Sequence, residues 1–241
     1  MKKHIPNALT CCNLLCGCMS IICSLNLCAT AFWNLKMAVF LIFLATVFDF
    51  LDGFVARLLK VTSPIGKELD SLADCITFGV APAMLLLEYV RFNGLYTVHS
   101  DLLLVAMGST LLLPVFSAIR LAKFNIDTRQ SEHFIGLPTP ANALFIASLT
   151  MIPTHIGSFN EMILHNPFVI TAICVLQSYL LISPIPLFSL KIKSLSWKKN
   201  KFQLLFIPIS LTIILFLTFS AAPFILLLYI LTSYLHFKKK S

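Results

Sequence analysis

Four aspartates, Asp49, Asp52, Asp70 and Asp74, stand in or beside apolar sequence in the run DFLDGFVARLLKVTSPIGKELDSLAD. Their spacing is D-x2-D-G-x2-A-R-x8-G-x3-D-x3-D. A carboxylate at membrane depth costs ~2.5–3.5 kcal/mol on insertion scales, so four of them need a compensating partner. Arg57, Lys60 and Lys67 are the cations of the segment, set against Asp49, Asp52, Glu68, Asp70 and Asp74. Charge balance therefore favours a bound cation over a network of buried ion pairs. Clustered carboxylates suit hard ions such as Mg²⁺ or Mn²⁺. One or two such ions would clamp phosphate oxygens and stabilise the charge of a displacement at phosphorus.

The elements that carry these residues follow from the spacing. Asp49 and Asp52 share one helix face, and so do Asp70 and Asp74. Gly53 and Ala56 share the face of the first pair, and Gly66 lies a turn before Asp70. Positions with little side chain let helices approach closely and leave room for a bulky ligand between them. Arg57, one turn beyond Gly53, can reach a phosphate or tie down a ligating carboxylate; snorkelling to headgroups is the plainer role for an arginine at a helix end. Ser63-Pro64 disfavours helix at residue 63. The first arm is thus expected to end near Lys60 and the second to restart near Gly66 or Lys67, with Pro82 bending it. The acidic motif spans a helical hairpin.

Composition sets the surroundings of that hairpin. With 58% hydrophobic and 12% charged residues, long stretches are apolar on every helical face, unlike the single apolar stripe of a soluble helix. An all-α, polytopic membrane helix bundle is expected, with about eight transmembrane helices near 8–28, 35–57, 67–90, 101–123, 137–155, 167–187, 203–219 and 221–237. All the lysines and arginines except Lys36 and Arg91 then fall on one side, which the positive-inside rule makes cytoplasmic, with both termini and the acidic hairpin there. The net charge of +8 is thereby a topology signal, and nucleic acid is not an expected partner. Lys198, Lys199, Lys201 and Lys238–Lys240 would meet anionic membrane lipids. Residues 1–190 form the expected core, and 191–241 a basic loop plus a C-terminal transmembrane hairpin. Most of the eight cysteines crowd into residues 11–28 without a nearby histidine or the spacing of zinc sites, so they are expected to pack as small hydrophobes.

At the acidic signature the chain resembles the CDP-alcohol phosphatidyltransferase family. The resemblance implies a helical membrane enzyme, a homodimer, that moves a phosphatidyl group from a CDP-linked lipid to an alcohol and releases CMP. It implies that Asp49, Asp52, Asp70 and Asp74 hold the metals, two ions per site, and that Asp52, Gly53, Ala56, Arg57, Gly66 and Asp70 line the CDP pocket with Asn7 and Thr10. It makes Asp74 the general base for the acceptor hydroxyl. The runs IPNALT followed by Asn13-Leu14, DSLAD through Phe78-Gly79-Val80-Ala81-Pro82, RLAKFN from Arg120, and FIGLPTPAN from Phe134 look like the phosphatidylserine synthase branch. That likeness implies CDP-diacylglycerol and L-serine as substrates and a bacterial cytoplasmic membrane as the setting. Arg120 and Lys123 would then hold the serine carboxylate, and Asn125 and Asp127 would help place its ammonium; positive-inside anchoring is the plainer role for the two basic residues. Asn7 and Thr10 could equally cap the first helix, and Asn142 could line the cavity or satisfy a loop.

Two other readings stand beside this one. Glycerol phosphate or inositol phosphate as acceptor would need a denser cluster of basic residues than Arg120, Lys123 and Arg129. A divalent-cation transporter would explain intramembrane carboxylates, but neither the small residues nor a positive Arg57 beside the ion path.

Overall fold

The computed structural model describes residues 4–25, 31–61, 63–94, 100–127, 134–152, 165–187, 209–210, 212–213 and 221–238. In chain order the elements are α1 (His4–Ser24), α2 (Ala31–Leu58), α3 (Pro64–Asp74), a π-helical segment (Cys75–Val80), α4 (Ala81–Gly94), α5 (Ser100–Thr110) and α6 (Leu112–Ile126). Then follow β1 (Phe134–Ile135), α7 (Thr139–Leu149), α8 (Pro167–Ile182), β2 (Pro186–Leu187) and α9 (Ala222–Lys238). The two strands form one short antiparallel pairing, Phe134 with Leu187 and Ile135 with Pro186. Otherwise the described chain is helical, as its composition requires.

Among the described residues, four helical stretches are long and apolar enough to cross a membrane: His4–Ser24, Asn34–Leu58, Pro64–Asn93 and Asp101–Ile126. Thr139–Leu149, Pro167–Ile182 and Ala222–Ser233 are shorter and equally apolar in character. The expected span at 203–219 lies almost entirely outside the described residues, as do the basic loop before it and Arg129.

α1 is built inside out relative to a soluble helix. Its buried side carries Pro6, Thr10, Asn13, Cys16, Gly17, Ser20 and Ser24, while Ile5, Leu15, Met19 and Ile22 are exposed. Lipid makes that distribution favourable, because apolar side chains gain nothing by leaving hydrocarbon and polar ones must find partners within the protein. α1 packs along α2 and reaches α3, the π segment and α4.

The hairpin turn differs from expectation in a way that its residues explain. α2 ends with Lys60 in the left-handed region (φ 53°), its N–H on the Arg57 carbonyl at 3.2 Å and the Val61 N–H on the Ala56 carbonyl at 3.0 Å. This is a Schellman closure with lysine where glycine is usual. α3 starts at Pro64, earlier than Gly66. Ser63 is the N-cap, its hydroxyl accepting from the Gly66 N–H at 3.3 Å, and Pro64 occupies the first turn. Ser-Pro is here a helix start, since proline's missing N–H is one of the orphans there anyway. At Pro82 the helix continues, and the irregularity sits just before it, in the widened π turn. Widening that turn makes room for a ring that would otherwise crowd the preceding carbonyl.

Two apolar clusters hold the bundle around the hairpin. Ile42, Phe78, Leu85, Ala143 and Ala147 join α2, the π segment, α4 and α7. Leu86, Leu113, Ile146, Ile170 and Cys174 join α4, α6, α7 and α8. α9 lies against α7 and β2, with Leu226 and Tyr229 on Leu137. The described cysteines, Cys11, Cys12, Cys16, Cys18, Cys23, Cys75 and Cys174, are all free thiols.

Candidate active site

The two arms deliver their acids to one place. Asp49 of α2 and Asp70 and Asp74 of α3 bring carboxylate oxygens within 4.8 Å of one another. Asp52 is not in this trio; it is buried one turn further along α2, where the Thr10 hydroxyl donates to its Oδ2 at 2.6 Å. Asp74 is also buried, and Asn13 Nδ2 donates to its Oδ1 at 3.3 Å. One oxygen of Asp70, Oδ1, is buried without a protein partner. Asp49 and Asp74 come within 4.8 Å of each other with no cation side chain between them in the trio. Carboxylates at that separation repel unless a proton or a cation lies between them. Oxygen donors alone, close together and incompletely satisfied, fit a hard divalent ion.

Beside the trio opens a cavity of about 530 Å³ lined by Pro6, Asn7, Thr10, Asp52, Gly53, Ala56, Val61, Ser63, Pro64, Gly66, Lys67 and Asp70. Every residue expected around the nucleotide is on this wall except Arg57. Arg57 stands at the rim, exposed, with Nη1 3.9 Å from where a Cβ on Gly53 would be. The small residues make the cavity. A Cβ on Gly66 would come within 2.8 Å of Asn7 Oδ1, so glycine there lets α1 and α3 close around it.

Arg120 is the one basic residue of the expected acceptor set that enters the interior. It is 8% exposed, near enough to Asp74 and Asp49 for its charge to act on both. Its Nη1 donates to Thr139 Oγ1 at 3.2 Å, its guanidinium lies 5.6 Å from the centre of the Phe124 ring, and its Nε is buried without a partner. Lys123 is exposed on the next turn. Asn125 ties the end of α6 to α3, its side-chain Nδ2 donating to Ser71 Oγ at 2.8 Å and its backbone carbonyl accepting from Lys67 Nζ at 3.1 Å. Asp127 caps α6 through its backbone N–H on the Lys123 carbonyl. Asn142 is fully buried with neither end of its amide paired.

Sequence reasoning gave no role to Asn13, Thr139 or Ser71, which the structure joins to Asp74, Arg120 and Asn125. For Asn13 a signal existed: it follows Thr10 by three residues and so shares its face of α1.

Comparison with known proteins places the chain in a family. The family model described as CDP-alcohol phosphatidyltransferase matches residues 3–174. A CDP-diacylglycerol–serine O-phosphatidyltransferase of Helicobacter pylori is 38% identical over 149 residues, covering 61% of this chain and 57% of that protein. One of Bacillus subtilis is 37% identical over 153 residues, covering 63% of this chain and 78% of that protein. An archaetidylserine synthase of Methanothermobacter thermautotrophicus is 33% identical over 178 residues, covering 72% of this chain and 66% of that protein. The chain thus spans little more than half the length of the Helicobacter relative. The match over residues 3–174 contains all four aspartates of the hairpin, and the chain belongs to the CDP-alcohol phosphatidyltransferase family.

Proposed function

We propose that this membrane protein transfers the phosphatidyl group of CDP-diacylglycerol to the hydroxyl of L-serine, giving phosphatidylserine and CMP. The observation that carries the reading is the trio Asp49, Asp70 and Asp74 at the edge of a cavity lined by Asp52, Gly53, Ala56 and Gly66. The names printed for the Helicobacter and Bacillus relatives support serine as the acceptor.

In this reading Asn7, Thr10, Asp52, Gly53, Ala56, Gly66 and Asp70 hold the nucleotide, and Arg57 reaches its phosphates from the rim. Asp49, Asp52, Asp70 and Asp74 would hold two Mg²⁺ or Mn²⁺ ions, which when bound neutralise the pyrophosphate and the departing CMP. Asp74 receives the proton of the serine hydroxyl as its oxygen bonds to the β-phosphorus and the bond to the bridging oxygen of CMP breaks. An alcohol is a weak nucleophile at neutral pH, so a base within hydrogen-bond reach lowers the barrier. Arg120, with an unpartnered Nε near Asp74, is the group best placed for the serine carboxylate, and its planar fork suits that partner. Lys123, Asn125 and Asp127 form the cytoplasmic edge of the acceptor path.

Eight spans place both termini and the site at the cytoplasmic face of a bacterial membrane, residues 1–190 form the catalytic core with 191–241 added at its periphery, and two copies pair in the bilayer.

The test is CMP release by the purified protein from CDP-diacylglycerol with Mn²⁺ or Mg²⁺. Release should depend on serine. Equal release with glycerol phosphate or inositol phosphate, and none with serine, would reject the acceptor; cation flux in sealed vesicles without CMP release would reject the enzyme.

A further inference from the structure

We propose that Asn13 is a positioning residue for Asp74, and that α1 sets the two acidic arms in register through it. The inference rests on the reading that Asp74 takes the acceptor's proton.

α1 presents a ladder of contacts to the hairpin at intervals of three and four residues. Asn7 lies against Gly66, Thr10 donates to Asp52 on the first arm, and Asn13 donates to Asp74 on the second. Gly17 then meets Thr77 so closely that a Cβ there would lie 2.8 Å from the Thr77 Cα. Thr77 Oγ1 in turn donates to the Asn13 backbone carbonyl at 3.2 Å. Asn13 is thereby held by the π segment that begins directly after Asp74.

The chemistry of the contact fits orientation rather than ligand binding. Asn13 is fully buried and is not part of the cavity wall. Its Nδ2 engages one oxygen of Asp74, so the carboxylate cannot rotate freely and its second oxygen is left for the cluster. The amide oxygen of Asn13 has no partner, and a buried unpaired acceptor is unfavourable. A leucine of similar shape would avoid that cost in an apolar helix. The donor is therefore what the site uses. Thr10 differs, because it both holds Asp52 and lines the nucleotide cavity.

The full-length protein with Asn13→Leu, Asn13→Asp or Thr10→Val in detergent separates these roles. Asn13→Leu and Asn13→Asp should each lower kcat with serine by ~10- to 100-fold, the range for losing a hydrogen bond to a charged group. The KM for CDP-diacylglycerol, and the affinity for CDP at saturating Mn²⁺, should stay within about twofold by the same reasoning. Mn²⁺ affinity without nucleotide, read by electron paramagnetic resonance, should fall severalfold. Asn13→Gln, which keeps the donor, should recover part of both losses. Thr10→Val should instead weaken CDP binding. A kcat for Asn13→Leu equal to the parent's, an unchanged Mn²⁺ affinity, or a kcat loss matched by an equal loss of CDP affinity overturns the proposal. If the parent transfers nothing to serine, the functional reading fails on that arm, and Mn²⁺ binding alone still decides the role of Asn13.

Discussion

Asp74 combines three demands in one side chain: burial, a neighbouring acid and a donor from α1. If Asp74 is the base of the proposed reaction, Asp74→Asn keeps the shape and removes the proton acceptor, so kcat should fall ~10²- to 10⁴-fold, with CDP binding retained at saturating Mn²⁺; stopped CMP-release assays and calorimetry check the two halves. Arg57→Lys keeps the charge at the rim and loses the planar fork. It should raise the KM for CDP-diacylglycerol by about tenfold, roughly one lost charge-assisted bond, while kcat changes little. At this scale the sequence was most readable. The four acids, the small residues and Arg57 have fixed spacing, and helix periodicity alone puts each pair on one face. The face of Asn13 was readable from its spacing to Thr10, but its partner was not, because a single asparagine in an apolar run does not disclose which later carboxylate it will meet.

Helix ends and turns carry the next set of consequences. Gly136 has φ 78°, and a Cβ there would lie 2.5 Å from the Leu181 carbonyl oxygen. Its N–H and that of Leu137 bond to the carbonyls of Ile185 and Leu180. This glycine is needed both for its backbone and for the close approach of α8. Gly136→Ala should therefore cost more than the ~1–2 kcal/mol of a left-handed residue alone, measured as a lower unfolding midpoint in detergent. Lys60→Gly works the other way. It relieves the left-handed lysine that closes α2 and should stabilise by up to ~1 kcal/mol without loss of turnover. These local devices were only half legible. Ser63-Pro64 marked a boundary, but residue preference alone could not say that the pair opens α3 rather than breaking it. The π turn before Pro82 was invisible because it answers to packing: Gly79 admits α6, with Ser117 Cβ 3.1 Å from where its Cβ would be.

On the scale of the whole molecule, the site is a joint between α2 and α3 closed by α1. Loading it should therefore stiffen the bundle. CDP with Mn²⁺ at a hundred times its dissociation constant should add about 2.7 kcal/mol of stability, and a chelator should remove it; thermal melting with and without EDTA reads the difference. Membrane class was legible from hydropathy, since no soluble fold buries so much apolar sequence. The number of crossings was less so, because helices such as Thr139–Leu149 and Pro167–Ile182 are shorter than a bilayer requires by themselves.

The polar face of α1 also bears on how the protein is made. Thr10, Asn13 and Ser20 find their partners on Asp52, Asp74 and Ala38, all of which leave the ribosome later. Thr10 can turn to the Pro6 carbonyl of its own helix, but until those segments emerge the Asn13 amide would face hydrocarbon without its partner, which disfavours free diffusion into lipid. Release of α1 from the insertion machinery should therefore wait for the next two helices, which would couple assembly of the acidic centre to biogenesis of the membrane core.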